Sequence, residues 1–190
     1  MLKKLTWKDG AVFSLKLNDD LYSLCQMRNG SVMEFFARCA ADDAWSNVDL
    51  NRERVLCQYF VAENRLKPLF AREIEASELA PNRRPANRLM LSPIIEANDR
   101  YGANLVRLND TFDILAKELV KGDLDKTSDW ETICAHDLTG MQGSPDKLKA
   151  RLTRYFETGI WWDEQKSFLF RGIRIPGRED GFVPRTAAKP

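Results

Sequence analysis

The sequence predicts a mixed α+β fold: an N-terminal antiparallel β-meander with additional strands, packed by several short helices from the C-terminal half. Three observations carry this. Apolar residues alternate with polar ones from Phe13 to Leu17, the period of a half-buried strand, and Val55 to Val61 is rich in β-branched and aromatic residues. Turn chemistry at Asn18-Asp19-Asp20 and Asn29-Gly30 punctuates the first 36 residues. Beyond residue 110 the apolar spacing lengthens to three and four, as in amphipathic helices.

A chain of 190 residues, 44% hydrophobic and 30% charged, can bury a core without disulfide staples. It reads as a single domain over 1–176 with a loosely ordered tail at 177–190, where periodicity is lost. A net charge of +1 argues against strong general attraction to nucleic acid or anionic membranes. No run of about 18 apolar residues suggests a membrane span. Met1-Leu2-Lys3-Lys4 begins like a secretory signal, but no apolar stretch follows, so a cytoplasmic location is expected. Cys25, Cys39, Cys57 and Cys134 lack any Cys-x-x-Cys spacing and read as free thiols.

Strands are expected at 11–17 and 21–27, and a third after Asn29-Gly30. Two-residue turns centred on Asp19-Asp20 and Asn29-Gly30 pair Leu17 with Tyr22, Leu15 with Leu24, Phe13 with Gln26, Leu24 with Phe35, and Gln26 with Met33. That register puts Phe13, Leu15, Leu17, Tyr22, Leu24, Met33 and Phe35 on one face. It leaves the other, which includes Met27, Val32 and Phe36, partly covered. A short helix is expected near Asp42–Asn47, a strand at 55–61, an extended edge piece around Pro68, and a helix over 73–80 ended by Pro81.

Asn82 to Arg88 reads as an exposed loop, and Ser92-Pro93 as the start of a short helix. Later helices are expected over 111–121, after the capping-box spacing Ser128 to Glu131, and from Ser144-Pro145 to Gly159. Ile160 to Phe170 reads as a closing hairpin turning at Asp163-Glu164-Gln165.

No catalytic, cofactor or metal residue is expected. His136 is the sole histidine and lies in no nucleophile motif, so a half-exposed helix-terminal role is favoured. Asp42-Asp43 lacks the rest of a calcium loop and reads as a solvated turn. Gly140 to Gly143 precedes a helix but matches no phosphate-binding motif. Arg83, Arg84 and Arg88 form the most site-like cluster. They could meet phosphates or a partner's carboxylates, or simply balance Glu73, Glu75 and Glu78.

Residues 7 to 36 resemble the opening of the immunity protein 26 family, small bacterial proteins that protect against polymorphic or contact-delivered toxins. The resemblance lies in Trp7, Gly10-Ala11-Val12-Phe13-Ser14-Leu15-Lys16-Leu17, Asp19, Tyr22, Gln26 and Phe35-Phe36. Val55 to Ala62 fits the family's later apolar strand. Ala11, Lys16 and Asp20 replace the family's usual aspartate, proline and glycine. The resemblance implies a non-catalytic, cofactor-free protein that binds and neutralises a cognate toxin, with a nuclease as a reasonable class. Arginine and aromatic residues dominate interface energetics. Partner contacts are therefore expected at Arg83, Arg84 and Arg88, and at Trp161, Trp162, Asp163 and Glu164, with either one of the two tryptophans substantially exposed or both buried between the last hairpin and the 144–157 helix. The alternative is a nucleic-acid-binding accessory protein using the arginine-rich loop.

Overall fold

The computed structural model describes residues 6–177, so the expected tail falls outside the described residues beyond its first position. The fold is α+β, rich in antiparallel strands in the N-terminal part, with a few short helices. Where the sequence reads as one domain, the chain divides into two compact units. One runs to Ala86 and includes Met141–Thr153; the other comprises Asn87–Gly140 and the residues from Arg154 onward.

In the first unit, β1 (Val12–Asn18), β2 (Leu21–Met27) and β3 (Val32–Ala40) form the expected meander, the first two within a residue of the expected bounds. The register differs by one. The Asp19-Asp20 turn does set Asn18 opposite Leu21, but Leu17 bulges out of the ladder. Leu15 then faces Ser23, and Phe13 faces Cys25. At the second turn Asn29-Gly30-Ser31 forms a three-residue loop, with Gly30 and Ser31 at φ 65° and 62°, instead of a two-residue turn. Met27 therefore faces Met33, and Cys25 faces Phe35.

A one-residue slip exchanges faces. Phe13, Leu15, Met33 and Phe35 stay together, with Phe70 5.2 Å from Phe13 and Tyr59 6.3 Å from Phe35, ring centre to ring centre. Tyr22 and Leu24 move to the opposite side, where Val12, Leu24, Phe36, Trp45, Val48, Leu50, Ile74 and Leu79 make a second core. The expected single seven-residue apolar face is thus corrected to a sheet buried on both sides.

The Asp42–Asn47 connection forms no helix. Buried Trp45 donates its indole N–H to Asp43 at 2.7 Å, and β4 (Val48–Asp49) follows. β5 (Val55–Val61) matches its expected span. After α1 (Glu63–Leu66) and a 3₁₀ turn, β6 (Phe70–Ile74) pairs with β1 at the sheet edge. The helix expected over 73–80 is replaced by the end of β6, a turn, and β7 (Leu79–Ala80). Arg72 selects the turn by donating to both Glu78 oxygens at 2.6 and 2.7 Å, which holds that carboxyl at a pKa of about 2.

In the second unit, β8 (Leu89–Ile95), β9 (Tyr101–Arg107) and β10 (Glu118–Lys121) form a three-stranded antiparallel sheet. Pro93, read as a helix start, lies inside β8 opposite Ala103; β8 is an edge strand, where a missing N–H is tolerated. The helix expected over 111–121 is also absent. The Asn109 side chain accepts from the Thr111 and Asp113 amides, and Asp113 accepts from Leu115, so local turn bonds replace helical ones. Phe112 is buried at φ 56°, while Leu115 is 91% exposed. α2 (Trp130–Ala135) forms without the expected capping box: Asp125 takes the Thr127 and Ser128 amides, and Asp129 occupies the cap position.

The chain then returns to the first unit. β11 (Met141–Gln142) runs parallel to β5, and α3 (Pro145–Thr158) starts at the expected Ser144-Pro145 and stops at Gly159, φ 73°. The expected closing hairpin is instead α4 (Glu164–Leu169). Asp163, read as a turn residue, caps that helix by accepting the Gln165 amide at 3.0 Å. Leu91, Ala103, Leu105, Ile133, Leu138, Trp162, Leu169 and Phe170 belong to the core of the second unit. No helix among the described residues is long and apolar enough to cross a membrane.

Candidate functional site

The arginines singled out in the sequence have different partners. Arg83 is exposed, its backbone N–H bonded to Asn51. Arg84 donates to Asn82 Oδ1 at 2.9 Å and to the carbonyls of Leu50 and Glu53 at 3.1 and 2.6 Å, so its guanidinium ties loops together. Arg88 belongs to the second unit and pairs with Asp110. The balancing of this cluster by Glu78 is not seen, because Arg72 holds that carboxylate.

Neither tryptophan of the expected pair is substantially exposed. Trp162 is 3% exposed and donates to Ser167 Oγ at 2.9 Å; Trp161 is half-buried, edge-on to Tyr155. The pair leads into α4 and forms no strand, so the alternation that would turn one ring outward does not operate. Asp163 is buried, and Glu164 is exposed and bonded to Arg154 at 2.6 Å.

A buried polar knot explains why Arg84 is structural. Glu34, 2% exposed, accepts from Arg28 at 3.2 Å and from the Asn82 amide at 2.8 Å. Gln26 exchanges two hydrogen bonds with the Asn82 backbone, and Arg28 also reaches the carbonyls of Asn82 and Arg84. Burial raises the Glu34 pKa, opposed by Arg28 and by the Asn82 hydrogen bond. These contacts fix the loop at residues 82–84 to β2 and β3.

His136 caps the C-terminus of α2, half-buried, as its sequence position suggests. Burial lowers its pKa, Lys166 lowers it further, and a hydrogen bond to the Leu89 backbone opposes both. The folded chain therefore takes up this proton less readily than the unfolded chain. Stability is expected to fall as pH drops from the ordinary histidine value of 6.5 towards the lower folded value. Thermal melts of wild type and His136→Gln at successive pH values test this: the wild type should lose more stability, and equal losses would refute the assignment. Among the described residues, no group of three or more His, Cys, Asp or Glu side chains is placed to hold a metal.

The concentration of cationic and aromatic groups lies elsewhere in the second unit. Lys126 and Trp130, at the entry to α2, donate to the carbonyls of Arg171 and Arg174 at 2.7 and 2.8 Å and so pin the segment after α4. Arg174 then lies 4.1 Å from the Trp130 ring centre, and Arg171 lies 4.7 Å from that of Tyr101. Tyr101 meets half-exposed Phe168 edge-on at 4.9 Å. Gly172, at φ 75°, fits the bend between the arginines; a Cβ there would sit 3.4 Å from Lys126 Nζ. Lys126, Thr127, Ser128, Trp130, Glu131, Thr132, Gly172, Ile173 and Arg174 line a cleft of about 450 Å³.

A cleft of about 530 Å³ in the first unit includes Lys8, Asp9, Glu73 and Glu75 but no aromatic residue. The cation–aromatic face was hidden in the sequence because its members are up to 73 residues apart (Tyr101 to Arg174). Its nearest linear signal is the i, i+3 spacing of Arg171 and Arg174.

Fold and surface together define an α+β protein with a preformed cation–aromatic face. The chain belongs to the family described as a domain of unknown function, DUF8309, whose model matches residues 2–175. No curated protein and no solved structure matches it.

Proposed function

We propose that this chain is a cytoplasmic, non-catalytic immunity protein that binds and neutralises a cognate bacterial toxin. The likeness of residues 7–36 to the immunity protein 26 family supports the reading. The observation that carries the binding role is the cation–aromatic face, where Arg171 and Arg174 are held on Tyr101 and Trp130. Arginine and aromatic side chains recur as interface hot spots, and stacked guanidinium groups lose less freedom on binding. Of the residues first expected to touch the partner, Arg83 and Glu164 remain exposed, whereas Arg84, Trp162 and Asp163 support the fold.

The test is co-expression with a toxin domain encoded beside this chain. Protection is expected, and the double substitution Arg171→Ala with Arg174→Ala should weaken toxin binding roughly tenfold or more while the fold persists. Failure to protect against that toxin would refute the reading. A second reading, nucleic-acid binding, draws on Arg171 and Arg174 together with Lys126 of the same cleft. It requires salt-sensitive binding of an oligonucleotide that those substitutions abolish.

A further inference from the structure

We propose that Asn29-Gly30 is a site of spontaneous covalent modification, a turn that deamidates in the folded chain to aspartate and isoaspartate. This chemistry needs no partner and stands apart from the toxin-binding reading.

Asn29 is the one asparagine that precedes a glycine; every other precedes a residue with a side chain. With no Cβ on Gly30, its nitrogen can be approached closely. Asn29, Gly30 and Ser31 are all exposed, so water and hydroxide reach the turn. Main-chain bonds close it: the Val32 N–H donates to the Asn29 carbonyl, and the Arg28 N–H donates to the Val32 carbonyl at 2.7 Å. The Asn29 carboxamide takes no part in these bonds and meets no other group among the described residues. Other asparagines are held: the Asn82 amide donates to Glu34 at 2.8 Å, and the Asn51 amide to Asp49 at 2.8 Å.

The step balances with water alone. Hydroxide takes the Gly30 amide proton, and the Gly30 nitrogen attacks the Asn29 side-chain carbonyl carbon, already tethered two bonds from the main chain. A new C–N bond forms, the side-chain nitrogen leaves as ammonia with a proton from water, and a five-membered succinimide remains. Water then opens the ring. Cleavage at the side-chain carbonyl gives aspartate; cleavage at the main-chain carbonyl routes the backbone through the β-carbon and gives isoaspartate.

Either product puts a carboxylate on the residue next to Arg28, whose guanidinium holds Glu34 and the carbonyls of Asn82 and Arg84. Isoaspartate also lengthens the main chain by one methylene. The turn has no slack for it, because Gly30 and Ser31 take φ 65° and 62° to close it, and the Trp7 indole holds the Arg28 carbonyl at 2.9 Å. The isoaspartate form is therefore the less stable one.

The test incubates the full chain in mildly acidic and mildly alkaline buffer and follows the tryptic fragment 29–38 by chromatography and mass spectrometry. That fragment should gain about one dalton before any other asparagine-containing fragment and split into two products of equal mass. The gain should speed up with hydroxide concentration. Gly30→Ala should slow it roughly tenfold or more, and Asn29→Gln, a change at an exposed side chain, should abolish it in a chain that folds normally. The isolated isoaspartate form should show a lower urea midpoint than Asn29→Asp, which carries the same charge without the added length. An earlier gain at another asparagine, a single product, a rate indifferent to pH, or a gain seen only in the urea-unfolded chain would each overturn the assignment. Equal midpoints for the two forms would overturn its consequence for the turn.

Discussion

Phe35→Ala is expected to destabilise the protein by about 3–5 kcal/mol, read as a lower urea midpoint with an unchanged slope. Phe35 has no exposed surface, sits opposite both Cys25 and Cys57, and meets Tyr59 edge-on. Truncation removes the ring's burial and leaves a cavity between strands that cannot close without breaking pairing on both sides. Phe36→Ala should cost a similar amount, because that ring is equally buried in the core on the other face. A small loss at Phe36 alone would show that the second face is loosely packed and that the sheet has one dominant core.

Arg28→Ala should cost about 3–5 kcal/mol near neutral pH, since it leaves the Glu34 carboxylate buried without its guanidinium and frees two loop carbonyls. The sign of its pH dependence follows from Glu34. Burial already raises the folded pKa, and losing Arg28 raises it further. A carboxyl with a raised folded pKa favours folding when protonated, and that benefit is lost as pH rises through the folded value. The gap between wild type and variant should therefore narrow from pH 7 towards the ordinary glutamate value of 4.5. Denaturation at several pH values measures it, and a constant gap would mean that Glu34 is already neutral in the native protein.

These two predictions mark where the sequence was legible. Strand spans were, because alternation and turn residues are local signals. β5 was found to the residue and β1 to within one. Register was not, because Leu17 in a bulge and Ser31 at positive φ depend on how neighbouring strands settle. One slip at each turn was enough to send Leu24 to the other face. Helical spacing misled at Leu115, Leu119 and Val120, all exposed, because Asn109 and Asp113 offered the backbone cheaper local bonds. At Trp161–Glu164 the expected hairpin gives way to a helix for a related reason: Asp163, a turn residue by its sequence, caps α4 instead. Arg84 looked available until Asn82, Leu50 and Glu53 were placed around it. The cation–aromatic face depended on contacts between distant stretches, which no local pattern announces.

The chain leaves the first unit at Ala86 and re-enters it at Met141. Five neighbouring strands of its sheet, β5-β3-β2-β1-β6, are complete before that departure, and only β11 waits for the return. During synthesis, the meander can therefore assemble while the intervening stretch is still being made. What comes late is β11 beside β5, followed by Arg151, which is buried and donates to the Tyr59 hydroxyl at 3.1 Å. The Tyr59 hydroxyl thus receives the Arg151 guanidinium only after that return. This unit is closed by a latch of high sequence separation, a hydrogen bond between residues 92 positions apart.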